Sequence, residues 1–280
     1  MADTPMITRP IPSTGEAMPV VGLGTWPVFD VGDSAGERAP LKSVVQALVA
    51  AGGRMIDTSP MYGRSEAVVG DLVTELGVRQ KVFLATKVWT SGRERGIAEM
   101  QRSAARMKSP VLDLIQIHNL VDWRTQLATL RDMKAKGQVR YIGITHYTTG
   151  SLDELARILD REPGIDFVQC GYSLAQRDAE ARLFPTCVAK KVAVIVNQPL
   201  GQGGLFGRVR GKELPGWAAD FDCTSWAQLF LKYLIGEPAV TCVIPATNKP
   251  DHMADNLKAG FGRLPDENQR QQIRALWDGP

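Results

Sequence analysis

Four side chains in this 280-residue chain are spaced for proton chemistry. Asp57, Lys87 and His118 each end an apolar run: Met55-Ile56-Asp57, Val82-Phe83-Leu84-Ala85-Thr86-Lys87 and Leu114-Ile115-Gln116-Ile117-His118. Tyr62 lies just beyond the first of them. Apolar runs of this length read as strands buried on both faces, and such strands rarely end on an acid, an amine or an imidazole unless the end opens onto a site. A phenol is a weak acid, with an ordinary pKa of about 10. A neighbouring ammonium favours its ionised form, whereas burial opposes it. Lys87 can supply the charge, Asp57 can hold Lys87 in place, and His118 can orient a carbonyl or assist proton transfer. Together they describe a donor that protonates a carbonyl oxygen while a nucleophile attacks the carbon. Taken singly, each has a structural alternative: a turn carboxylate, a solvated lysine, a hydrogen-bonded imidazole and an aromatic lid.

The elements that must hold these residues follow from the same pattern. Strand signals recur at about 19–25, 54–58, 82–88, 112–118, 139–145, 166–171, 192–198 and 241–246. Between them, apolar residues return at helical spacing, as in Val44, Val45, Leu48 and Val49, or Leu152, Leu155, Ile158 and Leu159. Ahead of the first strand, segments 6–12 and 17–22 flank Ser13-Thr14-Gly15-Glu16, which is turn chemistry for a hairpin. The expected fold is α/β: a (β/α)8 TIM barrel with an N-terminal β-hairpin plug, as a single domain over residues 1–280. A doubly wound sheet would carry Gly-x-Gly-x-x-Gly after its first strand. Gly22-Leu23-Gly24-Thr25-Trp26-Pro27 lacks the third glycine. The loop after the seventh barrel strand contains Gly201-Gln202-Gly203-Gly204-Leu205-Phe206-Gly207. It reads either as backbone able to approach an anion closely or as a merely mobile loop.

Composition narrows the class. At 44% hydrophobic the chain can bury a large core, and a net charge of +3 is too mild to imply nucleic acid or an anionic membrane. Cys170, Cys187, Cys223 and Cys242 form no C-x-x-C pair and show no zinc spacing, so no metal site and a reducing, cytoplasmic setting are expected. No run is long and apolar enough to span a membrane, and Met1-Ala2-Asp3-Thr4-Pro5 shows no secretory leader. No Gly-x-Ser-x-Gly elbow offers a competing mechanism.

The motifs Gly22-Leu23-Gly24-Thr25-Trp26, Ile56-Asp57-Thr58, Tyr62-Gly63-Arg64-Ser65-Glu66, Thr86-Lys87-Val88-Trp89 and Gln116-Ile117-His118 resemble those of the aldo-keto reductases. Asp113-Leu114, Gly137-Gln138-Val139-Arg140-Tyr141-Ile142-Gly143-Ile144 and Ile244-Pro245-Ala246-Thr247 extend the resemblance over nearly the whole chain. The resemblance implies a barrel of the bacterial, short-tailed type that reduces an aldehyde or ketone with NADP(H), NAD(H) being the alternative, and acts on small molecules as a monomer or weak oligomer. It implies Tyr62 as general acid, Lys87 and Asp57 as the groups that tune it, and His118 as a substrate-positioning group. By the same resemblance Gly24, Thr25 and Trp26 touch cofactor or substrate, Gln169 holds the nicotinamide carboxamide, and Pro199, Leu200 and Gly201 meet the pyrophosphate. Thr247, Lys249, His252 and Asn256 fall in the adenosine-phosphate segment. Trp26, Met61 and Trp89 are expected to form an apolar substrate wall, joined by Trp123 or Phe206.

This sequence departs from the family pattern at several positions. Gln198 stands in place of the usual serine, and Asn197 replaces an aromatic residue that stacks on the nicotinamide. Thr145-His146 replaces a Ser-Asn pair, so His146 either reaches the site itself or stands behind it. Ala246 and His252 replace the Lys and Arg that grip a 2′-phosphate, leaving Thr247 and Lys249 as substitutes, the lysine as a flexible point charge. Two other readings compete: a nicotinamide-binding, redox-responsive accessory protein with little turnover, and a barrel lyase or isomerase using Lys87 as a Schiff-base amine.

Overall fold

A computed structural model of the chain describes residues 5–279, so the reading of Met1–Thr4 as leader-free concerns residues outside that range. Strands β1 (Thr8–Pro10) and β2 (Ala17–Pro19) pair antiparallel across the expected turn. Eight parallel strands follow in sequential order: β3 (Leu23–Gly24), β4 (Met55–Asp57), β5 (Phe83–Val88), β6 (Leu112–His118), β7 (Val139–His146), β8 (Phe167–Gly171), β9 (Ala193–Asn197) and β10 (Val240–Val243). Val21 bridges Val243 and Gly24 bridges Ala246 in parallel, so the last strand returns to the first and the barrel closes.

Helices α1 (Ala35–Ala50), α2 (Ser65–Glu75), α3 (Arg93–Arg106), α4 (Trp123–Ala135), α5 (Leu152–Arg161) and α6 (Leu183–Lys190) follow β3 to β8 in turn. Beyond β9 come the short α7 (Leu205–Val209) and then α8 (Trp226–Ile235), and beyond β10 come α9 (Pro250–Lys258) and α10 (Glu267–Asp278).

The barrel strands bury both faces along most of their length, which is why the runs read as continuous rather than alternating. Outward residues such as Ile56, Leu84 and Ile115 meet helix stripes that include Val44, Leu48, Val68, Leu72 and Leu155. Inward residues form a separate cluster around Phe83, Leu114, Tyr141, Phe167 and Ile195. The hairpin inserts Ile11 and Met18, both fully buried, into that inner cluster, while the Tyr141 hydroxyl contacts Thr14 and Glu16 of the turn at 2.8 Å each. The plug therefore closes one end by apolar burial and leaves the other free for chemistry.

Register fixes the open rim. Gly24 and Ala85 pair with Asp57, Lys87 pairs with Gln116, and His118 and Gln169 both pair with Thr145. The long connection from β9 to α8 is tied down by buried Lys232, whose ammonium donates to the carbonyls of Phe221, Phe261 and Arg263.

Helix α2 packs against the C-terminal end of α3 at Gly70. A Cβ there would stand 2.2 Å from the Arg106 carbonyl oxygen and 2.7 Å from Met107 Cα. Gly70→Ala is expected to lower stability in urea unfolding by about 1–3 kcal/mol, despite alanine's better helix propensity, because backbone must move. An unchanged or raised midpoint would show that the two helices separate freely.

Candidate active site

The rim residues form one connected polar group. Asp57, at the end of β4, accepts from Lys87 Nζ at 2.7 Å through one carboxylate oxygen. Its other oxygen accepts from Gln169 Nε2 at 2.9 Å and from Gln116 Nε2 at 3.3 Å. Lys87 also donates to the Thr58 carbonyl at 2.8 Å and is only 1% exposed. The turn after β4 brings Tyr62 back over this pair, with the Tyr62 N–H bonded to the Ser59 carbonyl at 3.1 Å. Lys87 Nζ lies 5.1 Å from the Tyr62 ring centroid. The His118 ring meets Tyr62 edge to face at 5.9 Å, and its Nδ1 is 3.1 Å from Ser59 Oγ.

Burial and charge compete at each titratable group. Desolvation is the largest influence on Tyr62 and raises its pKa above the usual phenol value, reinforced by Asp57; Lys87 opposes this without overcoming it. The phenol is thus not acidified at rest but kept protonated, as a proton donor must be. Burial also disfavours the Lys87 ammonium, yet Asp57 and Tyr62 outweigh it and the pKa is raised. A lysine charged, buried and bound to a carboxylate and a carbonyl is not a Schiff-base nucleophile. His118 is driven down to about 3, first by desolvation and then by the positive charge of Lys87, so its imidazole is neutral across the physiological range.

A cleft of about 1240 Å³ opens over this group, larger than the roughly 300–1,000 Å³ of most small-molecule pockets. Its lining includes Gly24, Thr25, Trp26, Asp57, Met61, Tyr62, His118, Thr145, Gln169, Asn197, Pro199, Leu200, Thr247, His252 and Asn256. Thr25 Oγ1 and Asn197 Oδ1 are buried there without hydrogen-bond partners. Buried polar atoms in native folds are nearly always paired, so these two suit a polar ligand. Gly201 and Gly203, at φ +56° and +88°, turn the loop beneath the same cleft with no side chain in the way. A nicotinamide dinucleotide fits these features. Gln169 is doubly committed, since its amide nitrogen holds Asp57 and its oxygen accepts from Thr145 Oγ1 at 3.2 Å.

Other expected residues stand outside the lining. Lys87 lies behind Asp57 and Tyr62. Trp89 is 44% exposed at the mouth, 6.4 Å from His118. Gly201 shapes the loop between the lining residues Leu200 and Gln202. Lys249 is an exposed N-cap of α9. His146 turns aside: its Nδ1 accepts from the Thr148 N–H at 3.3 Å, and its ring stacks on Tyr147. Tyr147, not named from the sequence, lines the cleft instead, just past the end of β7. Phe206 lines the cleft, whereas Trp123 stacks on Arg124 at the start of α4.

The electrostatics yield a direct check. In an NMR titration, His118 is expected to show no protonation step near the ordinary imidazole value of about 6.5, remaining neutral until close to pH 3. Because the folded-state pKa is lowered, the neutral form persists above it. A titration midpoint between about 6 and 7 would mean the ring is solvated rather than buried.

Comparison with known proteins agrees with this geometry. The family model described as Aldo/keto reductase family matches residues 20–278. The methylglyoxal reductase YeaE of Escherichia coli is 31% identical over 199 residues, covering 67% of this chain and 66% of YeaE, just under two thirds of its length. A 9,11-endoperoxide prostaglandin H2 reductase of Trypanosoma cruzi is 30% identical over 262 residues, covering 91% of this chain and 86% of that protein. Among solved structures, an aldo/keto reductase from Klebsiella pneumoniae in complex with NADP and acetate superposes with a TM-score of 0.81 at 26% identity, over 95% of this chain and 94% of that one. With its barrel closed and its rim residues gathered as the motifs imply, the chain belongs to the aldo/keto reductase family.

Proposed function

We propose that the chain is an NADP(H)-dependent carbonyl reductase in which Tyr62 protonates the carbonyl oxygen of a small-molecule aldehyde or ketone. The observation that carries this reading is the buried Lys87–Asp57 pair beneath the Tyr62 ring, at the rim of a cleft large enough for cofactor and substrate together. The NADP-bound relative and the reductases of known substrate support the same conclusion.

Thr25, Gln169, Asn197, Pro199, Leu200, Thr247 and Asn256, all lining the cleft, would hold the reduced dinucleotide, which when bound would supply the hydride to the carbonyl carbon. The chain's own part is to manage the proton. Tyr62 is protonated at neutral pH and donates its hydroxyl hydrogen to the substrate oxygen. As negative charge passes to the phenol oxygen, the Lys87 ammonium stabilises it, in a desolvated setting where that attraction is strong. Lys87 gives most in the transition state, when the phenolate forms, and little to the resting phenol. Asp57 keeps the ammonium charged and aimed. Neutral His118 cannot compete as a cation and contributes a hydrogen bond to the carbonyl.

Exposed apolar side chains concentrate at this mouth: Trp26, Met61, Trp89, Tyr147 and Phe206. Trp26 and Tyr147 follow β3 and β7, four strands apart in an eight-stranded barrel, and so face each other across it. Such a rim suits bulky or aromatic carbonyl compounds. A binding-only accessory role would leave the Tyr62–Lys87–Asp57 arrangement without a purpose.

Tyr62→Phe should reduce turnover by at least about a hundredfold, since general acid catalysis is worth roughly that or more, while fluorescence titration shows nearly unchanged NADPH affinity. Near-normal turnover would reject the mechanism. Lys249→Ala should weaken NADPH a few-fold more than NADH if this flexible amine meets the 2′-phosphate; equal losses for the two cofactors would exclude that contact.

A further inference from the structure

Ser59 makes the one polar side-chain contact to the His118 ring among the described residues, with Oγ 3.1 Å from Nδ1. Ser59 is fully buried and His118 is 6% exposed. A serine hydroxyl has one proton to give and two lone pairs to receive with. One lone pair accepts the Met61 N–H at 3.4 Å. The hydroxyl proton then has His118 Nδ1 as its acceptor. A buried hydroxyl proton left without an acceptor is unfavourable, so the O–H points at that nitrogen. An Nδ1 that accepts carries no hydrogen. A neutral imidazole has a single ring proton, which must then sit on Nε2, on the far edge of the ring.

We propose that Ser59 is a positioning residue that holds His118 as the Nε2–H tautomer, so that the ring presents a donor rather than a lone pair to a carbonyl oxygen in the cleft. The tautomer follows from this hydrogen-bond geometry in a neutral ring and needs no substrate; its use in catalysis rests on the carbonyl-reductase reading above. The distinction matters chemically. An Nε2 lone pair would repel the substrate oxygen and compete for the Tyr62 proton. An Nε2–H draws the oxygen toward the donor and stabilises charge developing there. Burial beside the Lys87 ammonium suppresses the doubly protonated ring, so the choice between tautomers falls to Ser59.

The chain has three histidines, so the ring nitrogens of His118 can be assigned by 15N NMR with a His118→Gln control. In the wild-type protein, Nδ1 is expected at the unprotonated, pyridine-like position and Nε2 at the protonated, pyrrole-like position. In Ser59→Ala both resonances should move toward an average as the tautomers mix. Carbonyl kcat should fall about five- to tenfold, the scale of one hydrogen bond, with NADPH affinity unchanged. Ser59→Thr, which keeps the hydroxyl, should restore the tautomer and most of the rate. A wild-type proton on Nδ1, or a Ser59→Ala spectrum identical to wild type, overturns the proposal. A mixed tautomer with full turnover overturns its catalytic half. Because the spectra need no substrate, absence of carbonyl turnover in the wild-type protein would instead count against the reductase reading.

Discussion

The active rim depends on an ion pair held out of water. Lys87 and Asp57 meet at 2.7 Å with the lysine almost wholly enclosed. Burying two charges is unfavourable unless the remaining donors and acceptors are also satisfied. The protein meets that condition with the Thr58 carbonyl for the ammonium and two glutamine amides for the carboxylate. Gln116 and Gln169 sit within β6 and β8 between the buried neighbours Ile115 and Ile117 and Val168 and Cys170, and the shared carboxylate explains why polar amides occur there. Removing either member of the pair would strand a charge in the barrel, so this arrangement constrains stability as well as chemistry.

The same enclosure sets the protonation states. Desolvation keeps Tyr62 neutral and His118 uncharged, and only Lys87, with its carboxylate partner, remains ionised. One fixed positive charge among neutral donors is suited to a step in which negative charge appears briefly on oxygen. Water-filled surroundings would weaken that attraction several-fold. The apolar mouth formed by Trp26, Met61, Trp89, Tyr147 and Phe206 favours the same exclusion once a ligand sits between them.

Division of labour between the two barrel ends follows from where burial is complete. At one end Ile11 and Met18 of the hairpin, both fully buried, cap the inner cluster. At the other, strand ends carry polar residues and the loops stand apart. Lys232 ties the later connections together through the Phe221, Phe261 and Arg263 carbonyls, and Arg270 fastens the terminal helix to Tyr233 and Glu237. Loops anchored at their base can shape a cleft without being part of the core.

Much of this was legible in the chain. Unbroken apolar runs announce strands buried on both sides, and a polar residue at the end of such a run marks the rim, because every parallel strand ends at the same side of a barrel. Tertiary structure decided what depends on distance and direction. Whether Tyr62 is acidified or held neutral is a contest between burial and the Lys87 charge, and no sequence pattern sets that balance. Whether His146 or Tyr147 reaches the cleft turns on how the chain leaves β7, where Thr148 engages the His146 ring. Ser59 carries no signal of its own in the sequence; only the folded turn after β4 brings its hydroxyl to His118 at the end of β6, a contact between residues far apart in sequence that local spacing cannot express.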